Sequence, residues 1–238
     1  MASQKYRGII VESKDSKEKD KIVSIYTLES GLIRTVFRGV RGEKAKMKAS
    51  KEVFTFGDFF IENTKGNNVV SAVDVIEAFY PVRENLDKYY EACSVIDAAK
   101  KIITAQADPA LFIEIVKAMK FICYENLKKN YVLCKYLLNI FKGAGYPLNM
   151  SKCSSCGAEI TGKKYFNYEI GEILCGNCRT YTSEELSPAV VNTLRIINNI
   201  DYEKLSTVHL SDDSIKGVLE VLAKNFQFRF GKEIFVVF

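Results

Sequence analysis

Histidine is almost missing from this chain. His209, in STVHLSDD, is the single one among 238 residues, which excludes a catalytic metal site assembled from two or three imidazoles of one chain. The nucleophile-elbow pattern G-x-S-x-G does not occur, so a Ser-His-Asp site has no obvious starting point. No apolar run approaches the ~20 residues of a membrane helix, and MASQKYRGIIVESKD lacks the apolar segment of a secretory signal. The chain is therefore expected in the cytoplasm with no membrane partner. A reducing compartment argues against structural disulfides among its seven cysteines. The carboxylate pairs Asp212/Asp213 and Glu184/Glu185 fall at expected helix starts, where they favour the helix dipole. Nothing in the chain asks for an enzyme or a small-molecule substrate.

What is present falls into two patterns. Residues 5–80 carry five short runs rich in Val, Ile, Phe and Tyr: KYRGIIVESK, DKIVSIYTLE, LIRTVFRG, EVFTFGDFFIEN and NVVSAVDVIEAF. Turn signals separate them. Five strands in so short a span suggest a small closed barrel, with an OB-fold leading and an SH3-like barrel reading similarly. After Pro81 the period becomes helical, over 86–107, 109–128, 131–143, 188–199 and from Asp212 or Asp213 to Phe230. Asp108-Pro109 and Ser187-Pro188 read as caps followed by proline at the first helical position. The apolar tail EIFVVF is expected to pack against the body. The expected class is α+β and multidomain. It comprises an N-terminal OB-fold β-barrel over 1–80, then an α-helical domain over 81–238 containing a four-cysteine zinc-binding insert at 152–180.

That insert reads CSSCGAEITGKKYFNYEIGEILCGNC, from Cys153 to Cys178. Cys153, Cys156, Cys175 and Cys178 have the C-x2-C…C-x2-C spacing of a zinc site. Each pair forms a knuckle aiming two thiolates at one point, and two knuckles supply the four-sulfur tetrahedron Zn2+ prefers. Gly157 and Gly176, each after a ligand, are expected at positive φ. KKYFNYEIGEIL alternates like a hairpin with Gly171 at its turn. Four thiolates leave no position for water or substrate, so one Zn2+ per chain is expected to be structural. A thioredoxin-type pair would need a βαβ context and one motif rather than two. The overlapping stretch from Gly157 to Lys164 imitates a phosphate-binding loop but has Lys164 where a hydroxyl is needed, and a knuckle where a strand should lead in. Lys163 and Lys164 are expected in solvent. Cys93, Cys123 and Cys134 lie on helical stretches and read as small buried hydrophobes.

The net charge is +5, but between Arg34 and Lys51 seven basic residues face one acid, a local +6. Arg34, Arg38, Arg41, Lys44, Lys46, Lys48 and Lys51 carry it. Extended alternation puts several of these cations on one side. Tyr26, Phe37, Phe54 and Phe56 on adjacent strands are expected to offer stacking platforms, as in OB-folds that hold single strands. Such binding weakens steeply with salt, and no base-specific pattern is evident.

The segment GIIVESKDSKEKDKIVSIYTLESGLIRTVFRGVRG resembles the N-terminal part of the RecO family of bacterial recombination mediators. GYPLNMSKCSSCG resembles that family's approach to its first cysteine pair, and CGNC falls where zinc-binding members have the second. The resemblance implies an OB-fold, a helical C-terminal domain and a zinc site. It also implies a non-enzymatic DNA repair and recombination mediator that binds single- and double-stranded DNA and anneals complementary strands. Such a mediator assists RecA loading with RecR on DNA coated by single-strand binding protein. RecR and single-strand binding protein are the implied partners, and the implied place is the bacterial nucleoid. Among DNA-binding candidates, Arg34, Arg38 and Arg41 match the family's pattern, while Lys44, Lys46 and Lys48 rest on charge. The alternative is a zinc-ribbon interaction or transcription module using the insert itself, with Lys152, Lys163, Lys164 and Arg179 in support.

Overall fold

The computed structural model describes residues 3–16, 19–40, 51–64 and 66–238. They pack as two compact units, one built from residues 1–84 with 102–123, the other from 85–101 with 124–238.

In the first unit, β1 (Gln4–Ser16), β2 (Asp20–Thr27), β3 (Gly31–Phe37), β4 (Phe56–Thr64) and β5 (Asn67–Glu77) close into a barrel in the order β1-β2-β3-β5-β4. β1 is long enough to serve two neighbours: Gln4 to Ile9 pair with β4, and Gly8 to Ser16 with β2. A register shift between Ile10 and Glu12 bends it near the hand-over. β3 and β5 close the ring through a parallel pairing of Val36 with Val69. This strand order is that of an OB-fold, which decides between the two barrels compatible with the strand count. The period of two sorts the side chains. Ile33, Thr35 and Phe37 turn inward while Leu32 and Arg34 stay exposed. Ile10, Val23, Ile25, Phe37, Val40, Phe59 and Val70 fill the interior. Gly57 is required where β4 and β5 approach, because a β-carbon there would lie 2.5 Å from the Asp74 carbonyl oxygen.

Helix α1 (Leu86–Ile102) follows, then α2 (Pro109–Tyr124). α2 packs with the barrel, in which Phe112 meets Tyr26 and Phe56 at ring-centroid distances of 6.1 and 6.2 Å. Tyr26 donates its hydroxyl to the Asp108 carbonyl at 3.2 Å. Asp108 caps α2 by accepting the Leu111 N–H at 3.0 Å, and Pro109 starts it. Both helices end earlier than their periodicity suggests. The first gives way to the exposed stretch 104–108. After Tyr124 the Glu125 carbonyl is taken by Lys88 Nζ at 3.1 Å.

The second unit is organised on α3 (Tyr131–Gly143), whose residues from Tyr131 to Leu138 are all buried. α4 (Pro188–Asn199) and α5 (Asp212–Phe230) pack against it. Ser187 and Ser211 cap these two helices, accepting from Val190 and Ser214 N–H. α3 has no side-chain cap of its own, since Asn130 sits at φ 66 and points elsewhere. Instead Glu91 of α1, fully buried, accepts the Leu133 N–H at 2.9 Å. Burial pushes its carboxyl up to about 7 against the opposing pull of the Leu133, Asn130 and Val132 N–H groups. The C-terminal segment lies against this unit as expected. Ile234 is buried, Phe235 N–H reaches Asp97 at 2.7 Å, and Asn130 Nδ2 donates to the Val237 carbonyl at 3.1 Å.

The insert forms a three-stranded sheet, β6 (Lys164–Asn167), β7 (Glu172–Cys175) and β8 (Ser183–Leu186), in the order β7-β6-β8. Gly171 closes the β6–β7 turn at φ 63. Glu184 and Glu185 are on β8, not at a helix start; they pair with Phe166 and Tyr165 across β6, and the helix begins only after Pro188.

Candidate metal centre and nucleic-acid surface

Cys153 and Cys156 sit on a tight turn before β6. Gly157 N–H donates to the Cys153 carbonyl at 2.8 Å, and Cys153 N–H to that of Ala158 at 2.9 Å. Gly157 adopts φ 72, a conformation that glycine takes without the steric cost of a β-carbon. Gly176 is not among the residues at positive φ, so one knuckle, not both, needs its glycine for that reason. Cys175 ends β7, and the Cys178 N–H returns to its carbonyl at 3.1 Å. Ser154 joins the knuckles, its N–H and hydroxyl both reaching the Ile173 carbonyl, at 3.0 and 3.1 Å.

These turns bring the sulfurs of Cys153, Cys156, Cys175 and Cys178 within 4.8 Å of one another, with Cys156 and Cys175 at 4.0 Å. Tetrahedral Zn–S bonds of ~2.3 Å correspond to sulfur–sulfur distances of ~3.8 Å, so a small contraction fits the set to a zinc-sized ion. A disulfide needs ~2.05 Å, and the cysteines are free thiols. The electrostatics of the four thiols point the same way. Burial pushes the Cys153 thiol up, but N–H groups of Cys175, Cys156 and Ser155 together outweigh it and hold it at about 6. Cys178 is pushed up to about 12 by hydrogen bonds with the thiols of Cys156 and Cys175. Four sulfurs this close ionise together only around a cation. A metal bound by all four would have no open coordination site and would cross-link the sheet.

The cations around the insert are largely engaged. Lys163 pairs with Glu185 at 2.9 Å, and Lys164 is not solvated but half-buried, donating to the Ile160 carbonyl at 2.6 Å. Arg179 stacks over the Tyr165 ring at 5.1 Å and donates to its hydroxyl at 2.9 Å. Of the other cysteines, Cys123 and Cys134 are buried, whereas Cys93 is only half-buried. His209 lies exposed in the loop before α5.

On the barrel, Arg34 projects from β3 opposite Ser24 of β2, and Arg38 follows the end of β3; both are exposed. Arg41, Lys44, Lys46 and Lys48 lie outside the described residues. The four nominated rings are not platforms. Tyr26, Phe37, Phe54 and Phe56 are all buried, the first and last beneath α2 and Phe54 under the Arg83 guanidinium at 5.4 Å. The sequence shows that aromatics are on strands but not which side the register turns them to. The outer row through Arg34 runs to Ser24 and Glu12, whose carboxylate pairs with Lys14 at 3.0 Å, and the next row is aliphatic and cationic. Lys14, Ile22 and Val36 pair across three strands, Ile22 and Val36 half-buried and Lys14 exposed. Lys14 lies far from the basic stretch in sequence, and only the strand register places it on this face.

Comparison with known proteins joins these two sites in one family. The family model described as recombination protein O N terminal matches residues 1–79, and that described as recombination protein O C terminal matches residues 83–234. The DNA repair protein RecO of Clostridium novyi is 24% identical over 223 residues, covering 92% of this chain and 86% of that protein. Its counterpart from Clostridium acetobutylicum is 26% identical over 225 residues, covering 93% and 90%. That of Thermobifida fusca is 29% identical over 206 residues, covering 85% and 84%. With a five-stranded barrel, a helical unit and a four-thiol cluster following in the order of the two matched models, the chain belongs to the RecO family of DNA repair proteins.

Proposed function

We propose that this protein is a non-enzymatic mediator that binds single- and double-stranded DNA through its barrel and anneals complementary strands. In this reading it also assists RecA loading, together with RecR, on DNA coated by single-strand binding protein. The observation that carries the binding mode is the pairing of exposed Arg34 and Arg38 with four buried rings. Exposed arginines beside aliphatic side chains and a Lys14–Glu12 ion pair contact phosphates and leave bases unread. That supports binding both strand forms with little sequence preference, and it leaves the bases free to pair with a complementary strand. Arg41, Lys44, Lys46 and Lys48 extend the same cationic segment in sequence. The four cysteines hold a structural Zn2+, which stabilises the insert and takes no part in DNA chemistry. The zinc-ribbon alternative is less favoured because three of its four cations, Lys163, Lys164 and Arg179, already have partners within the insert, although Lys152 stands exposed.

The test is annealing of two complementary oligodeoxynucleotides, naked and coated with single-strand binding protein, across a salt series. Acceleration that fades with rising salt, and that falls in Arg34→Ala and Arg38→Ala, is the expected result. A folded, metal-loaded protein that leaves the rate unchanged would rule out annealing as its activity.

A further inference from the structure

Lys51 closes the basic stretch in sequence, yet its side chain is buried and its ammonium donates to the Val40 carbonyl at 2.8 Å. Its own carbonyl accepts the Ser13 hydroxyl at 2.9 Å, and its neighbour Glu52 pairs with Lys21 at 3.2 Å. On the same side, directly after Arg38, the Gly39 N–H donates to Asp20 Oδ1 at 2.9 Å, with Gly39 at φ 66, and before Arg38 the strand residue Phe37 pairs with Lys21 of β2. The side chains of Phe37 and Val40 are both sunk in the barrel core. Arg38 is thus the exposed point of a short backbone segment held on both sides.

Two of these residues make little sense as parts of a phosphate surface. A buried ammonium satisfied by a carbonyl is not free to meet DNA, because pulling it out would leave a buried acceptor without a donor. Asp20 is an acid placed within hydrogen-bond distance of the segment carrying a DNA-binding arginine, where its charge repels phosphate. As an acceptor for the Gly39 N–H its presence is explained.

We infer that Asp20 and Lys51 form a clamp that positions Arg38 for phosphate contact, acting through Gly39 and Val40 without touching DNA. This rests on the DNA-binding role proposed above. The clamp makes the backbone after β3 a fixed exit, so that the Arg38 guanidinium is presented from a rigid origin and loses less freedom on binding.

The experiment uses the full chain, fluorescence anisotropy with a labelled single-stranded oligodeoxythymidylate, and a salt series. Electrostatics alone says that Asp20→Ala and Asp20→Asn both remove a repelling charge and both tighten binding. The clamp separates them. Asp20→Asn keeps an acceptor oxygen and binds at least as tightly as wild type, while Asp20→Ala binds about 3- to 10-fold more weakly, the scale of a lost phosphate contact. Lys51→Met weakens binding in the wild-type background and adds nothing in Arg38→Ala. Thermal melts and metal content confirm folding, and if Lys51→Met does not fold, the Asp20 pair decides. Asp20→Ala binding as tightly as Asp20→Asn overturns the clamp. So does Lys51→Met lowering the salt slope by ~0.7 independently of Arg38, since that marks a direct contact with the single strand. A wild-type protein that does not bind the oligonucleotide overturns the DNA-binding role itself, and the clamp with it, before any variant is made.

Discussion

The barrel encloses Val23, Ile25, Phe59 and their neighbours within a closed ring of strands. The cysteine insert has three strands of four residues each and gathers four thiols between its two turns. One is held by apolar burial and a closed hydrogen-bonded sheet, the other by a site that ionises fully only with a cation. Their charges contrast too. The barrel leaves Arg34 and Arg38 exposed, while in the insert Lys163, Lys164 and Arg179 have partners of their own and Lys152 stands exposed. The difference teaches that the residues with the most recognisable chemistry, the cysteines, form a cluster suited to holding a structural metal, while ordinary arginines on a strand carry the proposed function.

The largest effect that sharpens this contrast is metal removal. Structural zinc sites in small domains carry on the order of 10 kcal/mol or more of folding free energy. Chelation, or Cys175→Ser, is expected to release one Zn2+ per chain and to erase amide-exchange protection in the insert, leaving oligonucleotide affinity within about threefold. Loss of DNA binding together with the metal would break the division between the units.

Next comes the barrel core. Phe59 is fully buried, and Phe59→Ala should cost about 3–5 kcal/mol. Urea unfolding should lose DNA binding and the barrel signal at lower denaturant, with metal content unchanged in native conditions.

pH should pull the two units in opposite directions. Glu91 is raised to about 7 in the folded second unit from an ordinary value near 4.5. Below that ordinary value the carboxyl is protonated in both states and its contribution is complete. As pH rises from 4.5 through 7 the unfolded chain releases the proton first, and stability falls, by on the order of 3 kcal/mol at most. Glu91→Gln should flatten this slope. In the barrel, hydrogen bonding from Arg7 and Lys5 holds Asp58 at about 2, although its burial opposes them. That contribution is present above the ordinary value near 3.8 and is lost as pH falls from there toward 2. Amide exchange at pH 4 and pH 8 would show protection of α3 greater at the lower pH. A second unit more stable at pH 8 would contradict the assignment.

The smallest effect is that of Arg34→Ala. Removing one phosphate contact should reduce the logarithmic salt slope by ~0.9 on duplex DNA or ~0.7 on a single strand, with thermal stability and metal content unchanged.

Much of this was legible along the chain. The alternation of Val, Ile and Phe before Pro81 marks the five strands, and Asp108, Ser187 and Gly171 mark two helix caps and a hairpin turn at the positions where they stand. These are local preferences, set by φ/ψ and by hydrogen bonds a few residues long. The cysteine spacing likewise marks the four-thiol cluster, because each knuckle closes through hydrogen bonds a few residues apart. Only the tertiary structure decided which face each strand turns outward. It buried Tyr26, Phe37, Phe54 and Phe56, withdrew Lys51 from the cationic surface, and set Lys14 in the row beside Arg34. It also packed α2 against the barrel and gave the cap of α3 to Glu91, many residues away. The reason is physical. A shift of one residue in strand register exchanges inside for outside at no cost to local pattern, and only the closure of the ring and the packing of its core select between them.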